Sequence, residues 1–444
     1  MVARGSEHPG LYLKILVVAL VVTQRFAIPL GSSQVPLILP LGLLILAIAF
    51  SRGAMTFHRV RAPLTLTVCL TALVCTLVQL GTGSVPSLLS MFLLVLAYLP
   101  AALVSTEGRR AVFGVSRLFV WIMTAAAVVA LAQFGAQYVG LANVDYLGQA
   151  LPAPFLVQGF SPNALISYGA DLRRSNGYLF LEPSFLSLFL GLAVVVAIKN
   201  RSGWVRVTIL LAGMVPTLAG NGLVVLLAGV VVSLFLPDRR RLLTLVPGLV
   251  GAVVAAAATP LGALYLRRST EAGSSGSSSS FRFVQPYTTL LPATFDSPFH
   301  ALFGHGAGNS DHYLDVVRNL IEVTRPAIPK VFFEYGVLGA LGIAGALAAI
   351  MITGLRERPW MVGVLITYFF INASLLQPTL SLFALFWLVL LPAKGERRTP
   401  RYSRRERDSV PEPPSPPVEA PPDPQPVTTA RTPVYDVVPP HTGD

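Results

Sequence analysis

Four short stretches of the chain place ionisable side chains where they could act on a substrate. The first is Arg173-Arg174-Ser175-Asn176-Gly177-Tyr178-Leu179-Phe180-Leu181-Glu182-Pro183-Ser184. Charged groups such as Glu182 and Arg174 near a span end are costly in a membrane and are functional candidates by default. The plainer reading pairs Glu182 with Arg174 to fix the chain's entry into a helix. The second stretch, Phe281-Arg282-Phe283, sets an arginine between aromatics. Its planar fork suits a phosphate, and it could equally staple a loop. The third, Leu302-Phe303-Gly304-His305-Gly306-Ala307-Gly308-Asn309, joins glycines that permit tight turns to an imidazole that can act as acid or base near neutral pH. Asp311 and His312 follow and are as readily solvated. The fourth, Pro329-Lys330-Val331-Phe332-Phe333-Glu334-Tyr335-Gly336-Val337-Leu338-Gly339, carries a second acid, Glu334. Cys69 and Cys75 share one apolar segment, and no metal-ligand spacing or disulfide framework is read. No cofactor and no metal are expected.

These residues need elements to hold them, and the composition says which kind. Only 12% of the 444 residues are charged and 53% are hydrophobic, with a mean hydropathy of +0.66. A water-soluble domain carries roughly 25% charge, so this chain expects a bilayer as the solvent for its helix exteriors. The net charge of +12 would suggest nucleic acid in a soluble protein. Here the basic residues form short runs between apolar segments, which points to topology and anionic lipid head groups. No nucleic-acid partner is expected.

Apolar runs at 9–30, 36–51, 63–80, 86–104, 112–138, 179–198, 204–218, 220–236, 242–264, 329–354, 359–376 and 378–393 predict an all-α bundle of about twelve spans. The first run reads as an anchor rather than a removed signal peptide. The loops near Arg59, Arg109, Lys199, Arg240, Arg356 and Lys394 are basic, and the short loops between them are not. That alternation holds only if residues 204–236 break into two spans at Ala219-Gly220-Asn221-Gly222. It then puts both termini in the cytoplasm and leaves two long extracytoplasmic loops, 139–178 and 265–328. Gly273-Ser274-Ser275-Gly276 and the serines from Ser277 to Ser280 make part of the second loop flexible. Arg25, near the outer end of the first span, reads as snorkelling to the interface. Residues 1–393 form the membrane domain. Residues 394–444, basic and then Pro-rich, form a disordered cytoplasmic tail that touches anionic lipid and could bind cell-envelope assembly proteins.

The order of these motifs, Arg-Ser-Asn-Gly-Tyr-Leu-Phe-Leu-Glu-Pro-Ser, an exterior Arg, Leu-Phe-Gly-His-Gly-Ala-Gly and Phe-Glu-Tyr-Gly-Val-Leu-Gly-Ala-Leu, resembles the O-antigen polymerase and ligase family over about 110–355. The resemblance implies a GT-C type membrane glycosyltransferase of the cytoplasmic (inner) membrane. Such an enzyme uses a polyprenyl-diphosphate-linked glycan and has no metal requirement. Arg174 and Arg282 would then hold the diphosphate, and Glu182, His305 or Glu334 would serve as base. The ligase branch carries a His-Asn type signature before the tenth span. Here that stretch is Thr324-Arg325-Pro326-Ala327-Ile328-Pro329-Lys330, without His, which favours a polymerase. A ligase-like transfer, a transporter or flippase of lipid-linked glycans, and a non-catalytic envelope scaffold are the alternatives. Transporters place polar sites near the midplane, whereas this chain concentrates them at span ends.

Overall fold

A backbone removed from water must satisfy its own hydrogen bonds, so long apolar runs fold as helices. The computed structural model describes residues 10–31, 33–82, 85–166, 171–236, 284, 286–310, 313, 326–371 and 377–392. The run at 242–264, the serine-rich segment, Arg282, Asp311, His312 and the tail from 394 lie outside them. The described residues all fall in one compact unit, Met1–Glu396.

The described α-helices of five residues or more are α1 (Leu11–Val22), α2 (Ile38–Ser51), α3 (Arg61–Gly81), α4 (Leu88–Tyr98), α5 (Arg109–Tyr138), α6 (Tyr146–Ala150), α7 (Pro183–Lys199), α8 (Trp204–Met214), α9 (Asn221–Leu234), α10 (Pro298–Phe303), α11 (Ala327–Gly339), α12 (Ala346–Glu357), α13 (Val362–Ile366) and α14 (Pro378–Leu385). Except for α6 and α10, each lies on an expected apolar run. Arg61–Gly81, Arg109–Tyr138 and Ala327–Glu357 are long and apolar enough to cross a membrane, by length and composition. On α3, Leu66, Leu70, Val74 and Leu77 are exposed at helical spacing, an apolar stripe suited to lipid.

The all-helical expectation needs correction at two loops. The first apolar run is helical only to Val22. Its end, β1 (Ala27–Leu30), pairs antiparallel with β2 (Ser33–Pro36), from Ala27↔Pro36 to Leu30↔Ser33. Gln24 and Arg25 interrupt the apolar run, and Pro29 has no N–H to give a helix. β3 (Met55–Phe57) likewise pairs with β4 (Leu103–Ser105). At Val215–Gly220 the chain leaves the helix through Leu218, whose φ is +45°, before α9 begins. This is the expected break between two helices.

These loop pairings sort the ends of the bundle. β3–β4 ties the basic 52–60 loop to the basic 103–110 loop. At other loops, Phe26 bridges to Leu156, and the Val157 N–H donates to Arg25 O (2.9 Å), joining the first hairpin to the long 139–178 loop. Ser87 N–H donates to Ala307 O (2.7 Å), joining the 82–87 loop to the glycine-rich turn. Two basic loops pair with each other through β3–β4, while the first hairpin, through Arg25 and Phe26, and the 82–87 loop pair with the long segments that carry the candidate residues.

The core is built on two helices buried along almost their whole length, α7 and α14. Phe189 stacks on Phe383 with ring centroids 3.9 Å apart. Phe119 of α5 closes the cluster against Trp387 at 4.8 Å. α9 approaches α7 backbone to backbone at Gly191 and Gly222, where any Cβ would collide. Arg61 and Arg358 reach the carbonyls of Val389 (2.5 Å) and Pro392 (2.5 Å), capping the end of the last helical segment.

Candidate functional site

Two glutamines on the last turns of α5 hold the Arg173–Tyr178 segment. Gln137 Oε1 accepts from the Arg173 N–H (2.8 Å), and its Nε2 donates to Arg173 O (2.9 Å). Gln133 Oε1 accepts from the Gly177 N–H (2.9 Å), and its Nε2 donates to Asn176 Oδ1 (3.1 Å). Both glutamines face one strip of chain because they stand four residues apart on a helix. Gly177 and Tyr178 follow at φ +62° and +59°. The left-handed region strains a tyrosine, and here two bonds hold it. Its N–H donates to Asn176 Oδ1 (3.1 Å), and its carbonyl accepts from Arg25 (3.1 Å).

Arg25 departs from the snorkelling expectation. It is 5% exposed and grips both oxygens of Asp145 at 2.6 Å. Burial alone would raise the Asp145 pKa. The Arg25 hydrogen bond, the N–H groups of Gly148 and Leu147 and the Arg25 charge outweigh it, and the carboxyl ionises below its ordinary range. This clamp fixes the start of the long 139–178 loop beside Tyr178.

Glu182 caps the N-terminus of α7 and is half-buried. Its carboxylate accepts from Ser184 Oγ (3.0 Å) and the Ser161 N–H (3.4 Å). Arg174 grips the same 161–165 segment, from its N–H to Ala164 O (2.9 Å) and from Nε to Leu165 O (3.1 Å). Arg173 donates to Asn163 O (2.8 Å). Two arginines and one acid therefore converge on one short strip of the long loop.

The third and fourth stretches meet in a second network. α11 is interrupted at Gly336 (φ +67°), which frees the carbonyls of Phe333 and Glu334 from helical bonding. The N–H groups of His305 and Gly306 take them at 2.7 and 3.1 Å, and Gln79 Nε2 adds a bond to Glu334 O at 2.8 Å. Gly304 and Gly336 lie face to face in this crossing, and a Cβ on either would strike the other segment's backbone. Glu334 itself is 1% exposed. Its Oε1 accepts from Lys330 Nζ (2.7 Å) and Ser310 Oγ (2.6 Å), and Lys330 also donates to Ser310 Oγ (2.7 Å). A buried acid committed to an ion pair is poorly placed to receive a substrate proton.

His305 lies between two rings. It stacks on Phe333 at 4.4 Å and on His300 at 3.9 Å. Its Nε2 lies 2.9 Å from Ala293 O and 3.5 Å from Asp296 Oδ2. Burial lowers its pKa below the ordinary value, helped by His300, against the opposing pull of Ala293 O and Asp296. Asp296 also meets His300 Nδ1 at 2.7 Å. Sequence reading missed this Asp296–His300–His305 group. Its one signal was an Asp and a His four residues apart at the start of a short helix; the fold supplies the third member.

Residues 12–393 match the sequence model of the WcaD colanic acid polymerase family. The chain belongs to the WcaD colanic acid polymerase family. No curated protein matches it. The family is of the polymerase type that the motif order resembles, and it places this chain with glycosyltransferase-type enzymes of polysaccharide biosynthesis. In this WcaD-family chain both networks fall inside the matched stretch. Glu182 and Arg174 share one, Glu334 and His305 the other, and Arg282 lies outside the described residues.

Proposed function

We propose that the chain polymerises lipid-linked oligosaccharide units into a cell-surface polysaccharide on the outer face of the cytoplasmic membrane. The donor is a glycan on a polyprenyl diphosphate. A hydroxyl of the incoming unit attacks the anomeric carbon of the growing glycan. The new C–O bond forms as the bond to the diphosphate breaks, and the lipid diphosphate leaves with the electron pair. Glu182 takes the hydroxyl proton, and Arg174, with Arg282, meets the charge on the leaving group. The family match over residues 12–393 carries this reading.

Within the site, Glu182 is favoured over the other candidate bases because it is half-buried at a loop, beside Ser184 and on the 161–165 strip that Arg173 and Arg174 also grip. Glu334 is locked to Lys330. His305 is stacked between rings with Nε2 against a carbonyl. Twelve spans with both termini in the cytoplasm put the Glu182 network on the outer side.

Deleting the protein tests the reading. The surface polymer should disappear while single lipid-linked units accumulate on the outer leaflet. Accumulation on the inner leaflet would point to a flippase and overturn it.

A further inference from the structure

We propose that Asp296, His300 and His305 form a binding site for one divalent transition-metal ion, which ties the segment ahead of α10 to the glycine-rich turn. The donor atoms are a carboxylate oxygen and two imidazole nitrogens, all within 4.8 Å of one another. Two of the spacings are already short, 2.7 Å from Asp296 to His300 and 3.5 Å from Asp296 to His305. Ligands around a zinc-sized ion stand about 3.4 Å apart when each bond is about 2.1 Å. The two imidazoles stack with centroids 3.9 Å apart, so binding one ion turns them out of that stack until their nitrogens converge.

His305 is 15% exposed and stacked on Phe333, and its Nε2–H donates to Ala293 O; a metal ion would replace that proton. Ser297 accepts from the His300 N–H (3.1 Å) and starts α10, which sets His300 four residues after Asp296 on the same side. Ala293 O, 2.9 Å from His305 Nε2, offers a fourth donor atom beside the site. Asp296 is 49% and His300 30% exposed, so an ion can enter from solvent and keep water in its open positions.

The donor set selects the ion. Two imidazoles with one carboxylate suit zinc, cobalt, nickel, manganese or iron; magnesium and calcium prefer all-oxygen shells. The location gives the ion a task. His305 and Gly306 donate their N–H groups to the broken turn of α11. An ion bridging residues 296, 300 and 305 therefore clamps the turn that holds the Glu334–Lys330 pair in place. It does so without touching the Glu182 network, and the proposal does not depend on the polymerase reading.

The test uses full-length protein in detergent or nanodiscs, without a polyhistidine tag, titrated with cobalt(II) chloride after chelator treatment. One cobalt per chain should bind, giving visible d–d absorption that zinc displaces, and the thermal midpoint should rise with metal. His300→Gln and Asp296→Asn, which keep size and hydrogen bonding, should each weaken binding by roughly tenfold or more and abolish the thermal shift. His58→Gln, in a distant loop, should leave both unchanged. Absence of stoichiometric binding, or binding unaltered by both substitutions, would overturn the proposal.

Discussion

At the scale of single residues, the account assigns unlike roles to two acids that look alike in the sequence. Each stands near the start of an apolar helix with a basic residue nearby. Burial separates them. Glu334 is 1% exposed and bonded to Lys330 and Ser310, while Glu182 faces a loop strip also held by Arg173 and Arg174. Glu182→Gln should insert normally and slow glycan extension on the order of 100-fold or more. Glu334→Gln takes the charge partner from buried Lys330 and should lower stability by about 3 kcal/mol or more, but the protein that folds should retain most activity. A folded Glu334→Gln protein with no activity would reverse the assignment. Lys330→Met should likewise lose stability, because it strands a buried carboxylate at a cost of about 3 kcal/mol or more. Loss of folded protein, read by thermal unfolding, is the expected outcome. If Arg282 meets the leaving diphosphate as proposed, its contact is bidentate, and Arg282→Lys should stop extension nearly as well as Arg282→Ala. Normal polymer length in the Lys variant would assign it to loop attachment.

At the scale of elements, the sequence shows where helices break but not what the breaks receive. The glycines of the 304–308 turn and Gly336 mark places where the backbone must bend, and the structure bends there. Their docking was illegible because the bonds run between segments some thirty residues apart, with no local pattern to announce them. The Gln133 and Gln137 contacts escaped notice for the same reason, reaching 44 and 36 residues along the chain, whereas the Asp296–His300–His305 group is local and needed a loop geometry that its four-residue Asp–His spacing does not announce. The four-residue β1–β2 pairing also went unread, since Ala27-Ile28-Pro29-Leu30 continues an apolar run without alternation. The docked turn yields a prediction. Gly336→Ala forces a left-handed alanine and a Cβ against Leu302, costing about 2 kcal/mol or more. It should expose the turn to protease while leaving the α7–α9 packing intact. The Arg25–Asp145 clamp yields another. Because the folded Asp145 pKa is depressed, the unfolded chain binds the proton more readily, so the clamp's stabilisation is full above the ordinary value of 3.8 and is lost as pH falls through the folded pKa. Neutral and mildly acidic buffers should leave the loop attached. Asp145→Asn strands a buried Arg25 at any pH and should release it at a cost of about 2 kcal/mol; proteolysis within 139–178 reads the difference.

At the scale of the whole molecule, the apolar runs located the helices well because a bilayer demands length and apolarity of each one. The loop pairings agree with the charge alternation. β3–β4 joins two basic loops, whereas the β1–β2 hairpin and the 82–87 loop pair with the long segments that carry the candidate residues. In the proposed topology, cysteines introduced at Ser161 and Ser415 should respond oppositely to an impermeant thiol reagent in intact cells. Labelling of Ser415 but not Ser161 would invert the protein and remove its site from the outer face. Truncation after Arg407 should leave insertion and polymer synthesis largely intact, since the Pro-rich tail has no core to lose.

The central claim is that this chain itself joins lipid-linked units. The direct measurement is purified protein in liposomes, supplied with a single polyprenyl-diphosphate-linked repeat and no other enzyme, with lipid-linked products separated by length over time. The account predicts a ladder of longer lipid-linked glycans and released polyprenyl diphosphate, both absent with Glu182→Gln. Single units that stay single with active, correctly inserted protein, or that merely change leaflet, would contradict it.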